Sequence, residues 1–139
     1  MKAPKDCKHY PLVSVDHYDP MDGQYANDTD TKALSIGYAQ YNKPGLSPEQ
    51  REISLKVWRM GDRGWSRMSE ELPIHRNLDL TILLLNVLLG EESNSAAPEW
   101  KISGEEWEWE EIRKYYKKND KIINPRLEQI RDLLIKMKL

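Results

Sequence analysis

Ile53-Ser54-Leu55-Lys56-Val57-Trp58-Arg59-Met60-Gly61-Asp62-Arg63-Gly64-Trp65-Ser66-Arg67-Met68 is the stretch on which the fold turns. Ile53, Leu55 and Val57 alternate with Ser54, Lys56 and Trp58, so Ile53 to Met60 reads as a strand with one buried face. Gly61-Asp62-Arg63-Gly64 supplies two glycines for a hairpin loop, and Trp65 to Met68 returns as the partner strand.

Upstream, the chain continues as strands. Leu12 to Tyr18 is β-branched and aromatic, with Pro11 before it and Asp19-Pro20 after it. Ala33 to Tyr41 alternates large Leu34, Ile36 and Tyr38 with small Ala33, Ser35, Gly37 and Ala39, and Gly37 argues against a helix there. Asn42-Lys43-Pro44-Gly45 is a turn, and Ser47-Pro48-Glu49-Gln50 starts one short helical turn.

Downstream, the pattern turns helical. Leu78 to Leu89 is apolar almost all round and ends at Gly90, which predicts a helix over about 77–89 buried in the core against the sheet. Ile102-Ser103-Gly104-Glu105-Glu106-Trp107 predicts a helix start, with Ser103 and Glu106 as a capping box and Ile102 with Trp107 as a hydrophobic staple. Asn124-Pro125 opens a last helix striped by Leu127, Ile130, Leu133, Leu134 and Met137. Residues 91–100 read as a mobile link.

Strands first and helices afterwards argue for an α+β fold. The expectation is an antiparallel sheet of three to four strands on a buried helix, followed by two amphipathic C-terminal helices. Residues 1–139 form one domain in this reading, strand-rich over 10–70 and helical over 77–139. The chain has 139 residues, and a domain of that size buries roughly 68–70% of its unfolded surface. Net charge is −2, with 39% hydrophobic and 32% charged residues, which excludes wholesale disorder and a generic polyanion binder. The single cysteine, Cys7, excludes an intrachain disulfide and a cysteine-only metal cluster. Met1 to Asp6 has no apolar core, so no signal peptide is expected. Leu78 to Leu89 is too short to span a bilayer, and a cytoplasmic location follows.

Three segments carry a resemblance to a small family of uncharacterised bacterial proteins. They are Asp22-Gly23-Gln24-Tyr25-Ala26-Asn27, Lys56-Val57-Trp58-Arg59, and Trp65-Ser66-Arg67 through Glu70-Glu71-Leu72-Pro73-Ile74-His75-Arg76 to Leu78-Asp79-Leu80. The resemblance implies a bacterial, cytoplasmic origin and supplies no activity.

Five constellations could carry chemistry. Residues 51–76 are the one net-positive window, with six basic and four acidic side chains. Lys56, Trp58, Arg59, Arg63, Trp65 and Arg67 there combine cations for phosphate with flat rings for bases, as single-stranded nucleic acid requires. Residues 52–89 resemble the PC4-like single-strand-binding cofactors in spacing, though Glu70-Glu71 would repel phosphate. The competing explanation is a Trp58–Trp65 packing pair.

Asp19, Asp22, Asp28 and Asp30, with Asp16, make an oxygen-rich loop for a hard cation, but the spacing is not that of an EF-hand, and aspartates are ordinary turn residues. Cys7, His9 and His17 lack the remaining ligands of a zinc site and read as a frayed terminus. Glu70-Glu71 with His75 and Arg76 could line an anion pocket at a helix start, with Glu71 as proton acceptor. Trp107, Trp109, Tyr115 and Tyr116, with Trp100, suit a partner-binding surface. Trp107 and Trp109 diverge by about 200° on a helix, so they cannot share one face.

The resulting expectation is a non-enzymatic binding or interaction protein that self-associates through its aromatic C-terminal helices. The alternative is single-stranded nucleic-acid binding by hairpin 53–68, and a small enzyme or metal protein stands further off. No cofactor is expected, and the partner is a protein or a second copy.

Overall fold

The computed structural model describes residues 1–66, 68–90 and 101–139. It is α+β, with an antiparallel sheet in the N-terminal half and three helices after it. The chain divides into two compact units, Met1–Leu78 and Asp79–Leu139.

The first unit is built on β1 (Tyr10–Asp16), β2 (Thr31–Tyr38) and β3 (Ile53–Gly61), paired antiparallel in that order. A Cβ on Gly37 would lie 1.9 Å from the Tyr10 carbonyl oxygen, so the β1 backbone passes where only glycine leaves room. Short 3-10 turns at Asp19–Met21, Gly23–Tyr25 and Pro48–Gln50 fill the connections. Beyond β3, the hairpin forms at Gly61–Gly64 as expected, with Gly64 at φ +108.

The return strand is shorter than the sequence suggests. β4 is only Gly64–Trp65, because Ser66 and Ser69 fold a local turn: Ser69 Oγ donates to the Ser66 carbonyl at 2.9 Å and Met68 N to Ser66 Oγ at 3.0 Å. Pairing resumes as β5 (Glu71–Pro73), which joins β3 at Ser54–Lys56 and is too short to leave a periodic signal in the sequence.

The buried face of the sheet is the opposite of the one its hydrophobicity predicts. Ala33, Ser35, Ser54 and Trp58 are buried, whereas Val13, Val15 and Ile36 are exposed. Ala33, Ser35 and Gly37 leave a shallow floor beside Trp58, and the largest side chain in the strand fills it, with 1% of its surface left in contact with solvent.

α1 (Ile74–Leu89) runs across the boundary between the units and ends at Gly90, φ +79, as the sequence predicts. Its burial does not match the expectation of a helix enclosed by core. Only Asn86 and Val87 are buried, and Leu78, Leu80, Leu84 and Leu89 are exposed. In the second unit, α2 (Glu106–Lys118) starts two residues later than a Ser103 cap would put it. Gly104 at φ +109 breaks the helical path, and Glu108 Oε1 instead accepts from Glu105 N at 3.0 Å. α3 (Asp120–Lys136) begins at Asp120 rather than Asn124, with Pro125 inside it. The single residue Asn119 separates α2 from α3, too short a link for two helices to fold back on one another. The expected mobile link 91–100 lies outside the described residues.

Candidate functional site

On the buried face, β2, β3, β5 and the residue just before β1 bring together groups far apart in sequence. Their hydrogen bonds run in one direction. Trp58 Nε1 is a donor only and gives its proton to Ser35 Oγ at 2.8 Å. Ser35 in turn stands 2.9 Å from His9 Nε2, and His9 Nδ1 stands 2.9 Å from Ser54 Oγ. Ser54 donates to Glu71 Oε2 at 2.9 Å, and so does the backbone N–H of Gln40. With an obligate donor at one end and a carboxylate at the other, every intermediate bond has one consistent sense. His9 must then be the neutral Nδ1–H tautomer, donating to Ser54 and accepting from Ser35.

A second proton on His9 would aim an N–H at Ser35, which already receives one from Trp58, and would orphan the serine hydroxyl. Burial, the dominant cause, holds the His9 pKa below its ordinary value; Glu71 at 3.7 Å opposes that and Lys56 adds to it. Glu71 Oε1 has no hydrogen-bond donor and faces Lys56 Nζ at 3.6 Å, the ammonium itself lying 4.3 Å from the Trp58 ring centroid. Burial also raises the Cys7 thiol, with Asp6 adding to the rise. His9 and Ser54 are wholly out of contact with solvent, and the hydrogen-bonded chain ties β2, β3 and β5 together from within.

The sequence groups His9 with Cys7 and His17 at a frayed end, whereas the structure buries it between Ser35 and Ser54, two residues that no sequence motif marks. Glu71 Oε2 accepts from Ser54 Oγ and from the Gln40 N–H, while His75 and Arg76 are exposed in the first turn of α1. The available signal was the run of small residues Ala33, Ser35, Gly37 and Ala39, which demands large side chains opposite.

The hairpin residues go to several places. Trp58 is buried, with Trp65 packed edge-on against it at 5.5 Å, so it offers no ring face to a base. Lys56 is paired with Glu71. Arg59 is gripped by Glu70 at 2.6 Å and Asp30 at 2.7 Å, and the Glu70 bonds hold its proton more tightly than usual. Arg63 is exposed at the turn, and Arg67 lies outside the described residues.

The opposite, apolar face holds an open cleft of about 560 Å³ lined chiefly by Val13, Val15, Leu34, Ile36, Leu55 and Val57. Next to it, Asp22, Asp28 and Asp30 line a cavity of about 540 Å³ with Tyr18 and Tyr25. Asp19 pairs with Lys32 at 3.7 Å. Among the described residues, no three His, Cys, Asp or Glu side chains are gathered to hold a metal ion.

In the helical unit, Trp109 is buried and donates to the Ser103 carbonyl at 3.1 Å. Arg113 reaches the Val87 carbonyl at the end of α1 and pairs with Glu106 at 2.9 Å and with Glu110. Tyr116, one helical face with Trp109, is half-buried and donates to Asn124. Trp107 and Tyr115 are exposed, so the divergence of Trp107 from Trp109 is as the spacing requires. Trp100 lies outside the described residues.

Fold and sites together define a class: an α+β protein whose five-stranded antiparallel sheet has a polar, sealed face and an apolar, open one. The chain belongs to a family of unknown function (DUF6530), matched over residues 1–100, which takes in the whole sheet and α1 but neither α2 nor α3. No curated protein and no solved structure matches it, so the PC4-like resemblance of residues 52–89 has no relative behind it. Among the described residues, no helix is long and apolar enough to cross a membrane.

Proposed function

We propose that this chain is a non-enzymatic interaction protein that self-associates through its helical unit. One observation carries this: α3 spans 17 residues and buries none of them. Ile130, Leu133, Leu134 and Met137 recur at helical spacing along its exposed surface. An isolated helix of about 15 residues is marginal in water, and most helical stability comes from packing an apolar stripe. A partner that covers the stripe supplies that packing. Trp107, Ile112 and Tyr115 add a second exposed arc on α2, of the residue types that anchor interfaces. Trp109 and Tyr116 belong to the unit's own packing, so the aromatic surface reduces to Trp107 and Tyr115. A cytoplasmic location and a bacterial source are part of the same proposal.

Light scattering on the eluting protein at micromolar concentration tests it. The expected mass is twice 16.3 kDa, unchanged by added salt, and Leu133→Lys with Leu134→Lys returns it to 16.3 kDa. A wild-type chain that runs as a monomer overturns the proposal. Salt-sensitive binding of a labelled oligonucleotide that Arg63→Ala weakens would instead support the nucleic-acid alternative.

A further inference from the structure

We propose that the open face of the sheet binds a cationic amphiphile, a small molecule with an aliphatic tail and a protonated amine or quaternary ammonium head. The tail half of the site is the cleft over β1, β2, β3 and β5. Its volume of about 560 Å³ falls inside the roughly 300–1,000 Å³ range of small-molecule sites. Its floor is aliphatic: Val13 and Val15 on β1, Leu34 and Ile36 on β2, Leu55 and Val57 on β3, Leu72 on β5. Val13, Val15 and Ile36 are between 43% and 60% exposed and adjoin one another across β1 and β2, the kind of contiguous apolar patch that forms ligand-binding grooves.

The head half begins where that cleft ends. Leu34, Val57 and Glu70 line both the cleft and the adjoining cavity of about 540 Å³, so the two open into one another. The second cavity holds four carboxylates, Asp22, Asp28, Asp30 and Glu70, against one guanidinium, Arg59. Arg59 is already bonded to Asp30 and Glu70, which leaves the excess negative charge for a ligand cation. Tyr18 and Tyr25 stand in the same wall and can offer ring faces to an ammonium. The carboxylates alone are turn residues and the cleft alone is a greasy groove. Their junction at Leu34 and Val57 selects the ligand, because a neutral or anionic amphiphile would satisfy the tail and not the head. A carboxylate head would meet like charge.

Calorimetric titration with decylammonium, decanol and decanoate, each below its micelle concentration, separates the two halves because the tails are identical. Decylammonium should bind about fivefold tighter than decanol, with decanoate weakest, and the preference should shrink as salt is raised. Asp22→Asn with Asp28→Asn changes only loop side chains and should bring decylammonium to the level of decanol. Ile36→Lys, at an exposed position, should remove binding of all three. Equal binding of the three probes overturns the proposal, and so does a failure of all three to bind. If they fail and Ile36→Lys also breaks a dimer, the face is an interface between copies. The Leu133→Lys, Leu134→Lys variant should titrate like wild type, which keeps this site independent of self-association.

Discussion

The two faces of the sheet are made by the same strands, yet they are filled by opposite rules. One presents Ser35, Ser54, Lys56 and Glu71 and is sealed; the other presents Val13, Leu34, Ile36, Leu55 and Val57 and is open. Hydrophobicity alone would reverse the two. Space decides instead, since Ala33, Ser35 and Gly37 make a shallow floor and Trp58 and His9 fit into it. The polar groups that come with them are tolerated because each bond in the chain from Trp58 to Glu71 has a donor and an acceptor.

The largest expected effect follows from that contrast. Trp58→Ala should cost about 3–5 kcal/mol, since it opens a cavity in the sealed face and strips Ser35 of a donor. Val57→Ala, one residue away on the open face, should cost less than about 1 kcal/mol. Urea denaturation followed by circular dichroism compares them, and equal losses would break the distinction between the faces.

His9 offers a finer test. Its pKa is lowered in the folded chain, so the unfolded chain takes up a proton as pH falls through about 6.5 while the folded one refuses it. Stability is therefore complete above that pH and declines below it, with a slope of at most about 1.4 kcal/mol per pH unit, until the depressed folded value is reached. The charged groups facing the ring are Glu71 and Lys56, and Ser35, Ser54 and the edge-on Trp58 ring also contact it. His9→Phe should cost about 1–3 kcal/mol at neutral pH, because Ser35 loses its acceptor and Ser54 its donor. The same variant should flatten the acid slope. A slope that survives it would place the titration elsewhere.

The contrast also explains what could be read from the sequence. The α+β order, the three long strands, the Gly61–Gly64 hairpin and the Gly90 stop rest on local signals, namely alternation of period two and glycines in turns. The polar chain was hidden because its members come from positions 9, 35, 54, 58 and 71, and only strand pairing brings them together. The split of the return strand was hidden for a different reason. It depends on Ser66 and Ser69 bonding their own backbone, which leaves no periodic trace. The apolar pattern of α1 does not report its burial, since hydrophobicity all round a helix does not say which of its faces meets a neighbour, and only Asn86 and Val87 are buried.

The smallest effect on stability concerns Trp107, and it carries the contrast into the helical unit. Trp107 and Trp109 sit two residues apart on α2, one 63% exposed and the other 7%. Trp107 Nε1 donates to Glu105, an exposed neighbour. Trp107→Ala should therefore change unfolding free energy by no more than about 0.5 kcal/mol, whereas Trp109→Ala should cost about 3 kcal/mol. If the outer arc of α2 is a contact between copies, the ranking inverts when association is measured. Trp107→Ala should then weaken the dimer about tenfold or more, the scale of an aromatic anchor. Sedimentation across a dilution series reads the dissociation directly. Unchanged association in Trp107→Ala would confine the interface to the α3 stripe, where the Leu133 and Leu134 variants already probe it.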